Sequence, residues 1–344
     1  MMNDFKIKQL KELLITSKKI VIVSHRNPDG DAYGSSLALY HYLLKYKHDV
    51  TVVSPNDCPE FLKWLPGQKS IRVFEENIDK GKEILKEAEI VFTLDFNALH
   101  RVGQQMQTAL EELNTTFVMI DHHEQPDDYA NFMYSDPSKA STCEMIYHFL
   151  EKLGDLECID KTIATCLYTG IVTDTGSFKY NATSNITHNI VASLISLGID
   201  HTKIHNNIFD TNSFNRLQLL GIALSNLKVL NTYKTAYITL SQQELNSQSF
   251  KKGDTEGFVN YGLSIKGIVF AVIFIEDQKQ GIIKMSLRSK GNFSVNDFAR
   301  NHFSGGGHLN AAGGRSELSL SNTIKQFLEI IPNYKEDLEN SYEA

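Results

Sequence analysis

Cysteine is scarce and unpaired in spacing: Cys58, Cys143, Cys158 and Cys166 form no CxxC. That argues against a zinc cage or a disulfide framework and fits reduced thiols in a cytoplasm. Long apolar runs are also missing. The longest, such as VFAVIFI at 269–275, suit a buried strand and fall well short of the roughly 20 residues a membrane helix needs, so no membrane partner is expected. The first twenty residues are charged throughout, read as a helix, and hold no apolar signal core. No basic run exists either: 34 Lys and Arg stand against 41 Asp and Glu, a net charge of -7. A long duplex is therefore not an expected partner. A short anionic substrate is, because local cations and metal ions outweigh the global sign.

What is present describes a folded chain. Hydrophobic residues make up 42% and charged residues 22% of 344 positions, a length that calls for two domains. Apolar β-branched runs, KKIVIVSH, DVTVVS, EIVFTLD (89–95) and TTFVMID (115–121), alternate with amphipathic stretches such as 33–46. This rhythm predicts an α/β fold with a parallel, helix-covered sheet. Helical periodicity returns at 142–153, 159–172, 184–197 and 214–229. New strands are expected at 234–240, 267–276 and 282–289, then a helix at 295–302 and a glycine-rich loop. The expected division is a parallel-sheet domain over 1–195, a helical linker over 196–229 and a smaller α/β domain over 230–344.

Polar residues gather where strands end. His25-Arg26-Asn27-Pro28-Asp29-Gly30-Asp31-Ala32 follows the first apolar run, placing an imidazole and two carboxylates in one turn that suits cations sharing ligands. A plain βα turn in which Asp31 caps the next helix is the alternative. Asp95 ends the run IVFTL and Asp121-His122-His123 follows FVMI. Adjacent histidines there divide their directions, one toward a metal and its neighbour toward substrate. Asp174 closes the helical run IATCLYTGIVT, where the helix dipole disfavours a carboxylate unless a cation neutralises it. Each has a plain reading as turn, cap or exposed loop. Together Asp29, Asp31, Asp95 and Asp174 bring a charge of about -4, which two divalent ions cancel, and mixed N/O ligation with His25 and His122 suits Mn²⁺.

The ordered set HxNPDGDA, strand-end Asp95 followed by Arg101 and Gly103, DHH at 121–123 and TDTGSF resembles the DHH phosphoesterase superfamily. The resemblance implies a dinuclear Mn²⁺ centre: His25 and Asp29 on one ion, Asp31, His122 and Asp174 on the other, Asp95 bridging. His123 would face the phosphoryl group. Ser304 to Gly314, SGGGHLNAAGG, is similar to the GGGHxxAAG motif of the DHH-associated domain, and Arg288-Ser289 to its SLRS segment. There Gly305, Gly306 and Gly307 would admit a phosphate to backbone N–H groups, with His308, and Arg288 as a bidentate grip. The nanoRNase/pAp phosphatase type is the expected subfamily: hydrolysis of short oligonucleotides such as pApA to mononucleotides, and dephosphorylation of pAp. A c-di-AMP phosphodiesterase keeps the same motifs. Pyrophosphatase, exopolyphosphatase and a non-catalytic nucleotide sensor fit less well, and a homodimer stays open.

Overall fold

The apolar runs of the N-terminal half become neighbouring parallel strands, since a strand buried on both faces needs no alternation of polar and apolar side chains. In the computed structural model, which describes residues 4–341, the strands are β1 (Lys19–Ser24), β2 (Asp49–Ser54), β3 (Arg72–Val73), β4 (Ile90–Leu94), β5 (Thr116–Asp121) and β6 (Phe132–Ser135). Every pairing is parallel, in the order β3-β2-β1-β4-β5-β6. The winding reverses between β1 and β4, and that reversal opens a crevice at their carboxyl ends.

Among the described residues this half holds eight α-helices: α1 (Asp4–Leu13), α2 (Gly30–Lys45), α3 (Ile78–Lys86), α4 (Gln104–Glu111), α5 (Thr142–Leu153), α6 (Lys161–Asp174), α7 (Asn185–Ser196) and α8 (His201–Phe209). Ile20 and Ile22 of β1 join Leu37, Phe149 and Leu167 from α2, α5 and α6. The alternate residues Val21 and Val23 join Leu85, Met106 and Leu110 from α3 and α4. Glycines let α2 and α6 approach closely. A Cβ at Gly34 would lie 2.6 Å from the Cys166 carbonyl oxygen, and one at Gly170 would overlap Cys143 Sγ and lie 2.7 Å from Asp31 Oδ1. This contact sets the first turn of α2 against α6, the helix that ends on Asp174.

The chain divides into two compact units, Met1–Thr211 and Asn212–Ala344, with the boundary inside the stretch read as a linker. Helix α8 belongs to the first unit and α9 (Phe214–Ser225) to the second. Helix α9 stops short of 229. Asn226 Nδ2 donates to Thr239 O at 2.9 Å and to Glu244 Oε1 at 2.8 Å, and β7 (Lys228–Leu230) pairs with β8 (Thr235–Leu240).

The second unit continues with α10 (Gln242–Ser247), α11 (Phe258–Leu263), β9 (Phe270–Asp277), β10 (Ile282–Ser289), α12 (Val295–His302), β11 (Gly306–His308), β12 (Ala311–Ser316), α13 (Leu320–Ile330) and α14 (Lys335–Asn340). Its sheet order is β11-β12-β10-β9-β8-β7, parallel only between β8 and β9. Phe270, Val272 and Phe274 pack with Phe298 and Phe327 on one face. Ala271 and Ile273 pack with Leu219, Phe258 and Val259 on the other. The expected glycine-rich loop is instead the hairpin β11–β12. A Cβ at Gly305 would overlap Gly313 O and one at Gly307 would overlap Ala311 O, so these glycines are needed for two backbones to approach. Among the described residues no helix is long and apolar enough to cross a membrane.

Candidate metal centre

Strand ends, the start of α2 and the end of α6 bring the six expected ligands together at the crevice between β1 and β4. His25 follows β1, Asp29 and Asp31 open α2, Asp95 follows β4, His122 follows β5 and Asp174 closes α6. They fall into two groups. One ligand atom each from His25, Asp29 and Asp95 lies within 4.8 Å of the others, and the same holds for Asp31, His122 and Asp174. Asp95 links them, with Oδ2 3.4 Å from His25 Nε2 and Oδ1 3.6 Å from His122 Nε2.

Both imidazoles are set as ligands by their second nitrogen. His25 Nδ1 lies 3.0 Å from Arg26 O, and His122 Nδ1 lies 3.2 Å from Lys139 O. A carbonyl oxygen only accepts, so Nδ1 carries the proton and Nε2 presents its lone pair. Those lone pairs face carboxylate oxygens: His122 Nε2 is 3.2 Å from Asp174 Oδ2 and 3.9 Å from Asp31 Oδ2, and His25 Nε2 is 3.8 Å from Asp29 Oδ2. Acceptor opposed to acceptor is unfavourable without a cation between them. The donor set therefore fits two divalent ions sharing Asp95.

Asp29, not Asp31, caps α2. Its backbone is extended and its Oδ1 accepts from the amides of Asp31 and Ala32, both at 3.0 Å, leaving Oδ2 toward His25. Asp31 reaches instead to the start of α5, accepting from Thr142 N at 2.6 Å and Cys143 N at 2.8 Å, where the free amides of a helix N-terminus favour an anion. Asp95 is buried and holds a left-handed backbone at φ 64. Thr142 Oγ1 donates to its Oδ1 at 3.1 Å. Such a conformation in a non-glycine residue costs on the order of 1 kcal/mol and persists only where surrounding contacts enforce it.

The electrostatics report the crowding. Burial, then the charges of Asp31, Asp29 and Asp174, push the Asp95 carboxyl well above the ordinary carboxylate range. Burial also raises Asp31, against the pull of His122. Asp29, exposed at the rim, is lowered against the desolvation its neighbours impose, through His25 and the amides it caps. Burial opposes the proton on His122, but Asp174 and Asp31 outweigh it and raise its pKa.

The two adjacent histidines take separate partners, their rings 4.9 Å apart at 69°. His123 Nδ1 donates to Asp121 Oδ1 at 2.7 Å, and its backbone amide to Asp121 Oδ2 at 3.1 Å. Asp121 stays lowered despite burial because His123 hydrogen-bonds it. Arg101 Nη2 stands 3.5 Å from His123 Nε2. Burial, with His122 and Arg101, lowers the His123 pKa against the effect of Asp121.

Sequence reasoning missed the supports: Asp121 behind His123, Arg101 beside it, Lys139 O on His122, and Thr142 with Cys143 on Asp31. The signal available was Ser141-Thr142-Cys143-Glu144, a helix start in which Ser141 Oγ accepts from the Glu144 amide at 3.0 Å. Glu144 is itself buried and accepts from Thr187 Oγ1 at 2.7 Å, anchoring the segment that supports three ligands.

The expected substrate residues lie in the second unit, on β10, β11 and the turn before β11. Arg288 is half-buried, and its Nη1 donates to Leu287 O at 3.0 Å. Ser289 donates to Phe293 O at 2.6 Å and accepts from Asn310 Nδ2 at 2.9 Å, so its hydroxyl ties the loop after β10 to the hairpin. Gly307 N donates to Asn296 Oδ1 at 2.9 Å, Gly306 pairs with Gly313, and His308 pairs with Ala311.

Comparison with known proteins identifies the family. Residues 19–171 match the DHH family, N-terminal domain, and residues 231–336 the DHHA1 domain. The chain is 30% identical over 316 residues to the bifunctional oligoribonuclease and PAP phosphatase NrnA of Thermus thermophilus, covering 91% of this chain and 89% of that protein. It is 26% identical to the cyclic-di-AMP phosphodiesterase PdeA of Listeria monocytogenes over 94% of this chain but 49% of that protein. Among solved structures, an exopolyphosphatase-related protein from Bacteroides fragilis superposes with a TM-score of 0.94 at 40% identity, covering 98% of this chain and 99% of that one. The chain belongs to the DHH family, whose members are metal-dependent hydrolases of phosphate esters.

Proposed function

We propose that this protein hydrolyses short oligonucleotides, dinucleotides such as pApA among them, to mononucleotides and removes phosphate from pAp, with Mn²⁺ as its metal. The observation that carries the reading is the pair of ligand groups joined through the two oxygens of Asp95. Relatives named for oligoribonuclease and PAP phosphatase activity, matched over most of both chains, support the substrate class. In the proposal His25, Asp29 and Asp95 hold one ion, and Asp31, His122, Asp174 and Asp95 the other. Two such ions, when bound, would supply acidification of a water to near neutrality and neutralisation of charge on the phosphoryl oxygens.

The chain's own groups supply the rest. Asp121 fixes His123 so that Nε2 is its reactive atom, beside the Arg101 guanidinium. An arriving phosphate reverses the balance that lowers the His123 pKa, because negative charge near Nε2 favours imidazolium. His123 then holds a phosphoryl oxygen or passes its proton to the leaving oxygen. Arg288 and His308 take the distal phosphate. Gly305, Gly306, Gly307 and Ser289 act by shaping the hairpin that presents His308.

The test is turnover with Mn²⁺, side by side, on pAp, pApA, c-di-AMP, a 5-mer RNA, a 24-mer RNA and pyrophosphate. The proposal expects pAp, pApA and the 5-mer to lead, with the 24-mer and pyrophosphate at least about tenfold slower. Comparable rates on the 24-mer defeat the length preference. A lead for c-di-AMP selects the second reading, which the PdeA match favours.

A further inference from the structure

The sheet of the second unit is covered unevenly. On the face carrying Ala271 and Ile273, residues of α9 and α11 seal β8 and β9. Strands β10 and β12 continue that face. Lys284, Ser286 and Arg288 of β10 pair with Ile275, Ile273 and Ala271 of β9, and on the other side with Arg315, Gly313 and Ala311 of β12. Directly paired residues share a face, so these six stand on the side of Ala271 and Ile273. Lys284, Gly313 and Arg315 are exposed, and Ser286, Arg288 and Ala311 half-buried. The alternate residues Ile283, Met285, Leu287 and Ala312 are buried on the opposite side.

The result is an open strip with positive charge at both ends, Arg288 at one and Arg315 with Lys284 at the other. Lys284 is ion-paired with Asp277 at 2.7 Å, so Arg315 supplies the net charge of its row. Between the rows Ser286 and Gly313 form a low floor, and Ala311 stands beside Arg288 in its row, so β10 and β12 put no large apolar side chain on this strip for a protein partner to grip. Four residues of strand separate the rows, roughly 13 Å at about 3.3 Å per residue, more than one phosphate-to-phosphate step of a single strand. On a chain of net charge -7, two separated cationic rows on a small-residue floor complement a polyanion with spaced charges.

We infer that this strip binds the phosphodiester backbone of a substrate longer than a dinucleotide, Arg288 taking one phosphate and Arg315, with Lys284, another farther along the strand. The inference rests on the reading of the protein as an oligonucleotide hydrolase and extends it to chain length.

The test compares wild type with the double variant Lys284→Gln, Arg315→Gln in two assays. In turnover, the ratio of kcat/KM for a 5-mer RNA to that for pApA falls about tenfold in the variant, and Arg315→Lys alone retains most of the ratio. In chelator, where turnover stops, binding of a labelled 5-mer loses salt dependence. The slope of log K against log salt becomes shallower by about 0.7, one net contact on a single strand, since Asp277 already neutralises Lys284. An unchanged ratio, a parallel loss on both substrates, or an unchanged salt slope overturns the inference. Failure of the parent reading looks different: wild type then turns over neither pApA nor the 5-mer.

Discussion

The two units hold charge in opposite ways. The first buries Asp31, Asp95 and Asp121 with His25 and His122 at the ends of parallel strands. The second spreads Lys284, Arg288 and Arg315 over an open antiparallel face. Buried like charges raise one another's pKa and cost stability until cations arrive. Exposed charges cost little and lose strength to salt. A centre of the first kind is built to be completed by metal, and a face of the second kind to meet an anionic chain reversibly.

The most damaging test of that contrast removes the room between α2 and α6. Gly170→Ala places a methyl against Cys143 Sγ and Asp31 Oδ1. It should destabilise the protein by about 1–3 kcal/mol and abolish Mn²⁺-dependent turnover. A melting curve and activity like wild type would show that the close helix contact is not what positions Asp31.

A subtler break keeps the fold. Thr142→Val retains the amide on Asp31 and deletes only the hydroxyl that donates to Asp95. Loss of such a supporting contact typically weakens metal binding by about 10–100-fold, and calorimetric titration with Mn²⁺ reads it. Unchanged affinity would relieve Thr142 of its part.

The smallest effect concerns pH. Asp95 is raised chiefly by burial and neighbouring carboxylates, and His122 by Asp174 and Asp31 in spite of burial. A group whose folded pKa lies above its unfolded value holds its proton longer when folded, so stability is lost as pH rises through the folded value. Asp29 and Asp121 are lowered, and their contribution is lost only in acid. Metal-free protein should therefore melt a few degrees lower at pH 8 than at pH 5.5. With Mn²⁺ the trend reverses, because ligands must be deprotonated to bind. Parallel curves with and without metal would contradict this.

Much of this was legible in the sequence because buried parallel strands write themselves as unbroken apolar runs, and because the ligands sit where those runs end. The strand order, and with it the reversal between β1 and β4, was not written there. Short strands escaped for a local reason: β6 is four residues, and β12, AAGGRS, has no β-forming composition and owes its state to pairing with β10. The α2 cap shows the limit within one turn. Asp29 and Asp31 are both good caps by residue type, and only the extended backbone at Asp29 and the arrival of α5 at Asp31 divide their roles. The Thr142–Asp31 contact spans 111 positions, and no local pattern encodes it.

The shared position of Asp95 is the centre of the account, and counting bound Mn²⁺ by calorimetry in three proteins tests it. Wild type should bind two ions per chain. Asp174→Asn should weaken one of them and leave the other, since Asp174 belongs to a single group. Asp95→Asn should weaken both together, as its oxygens face both histidines. Two ions bound to Asp95→Asn with wild-type affinity would contradict the account.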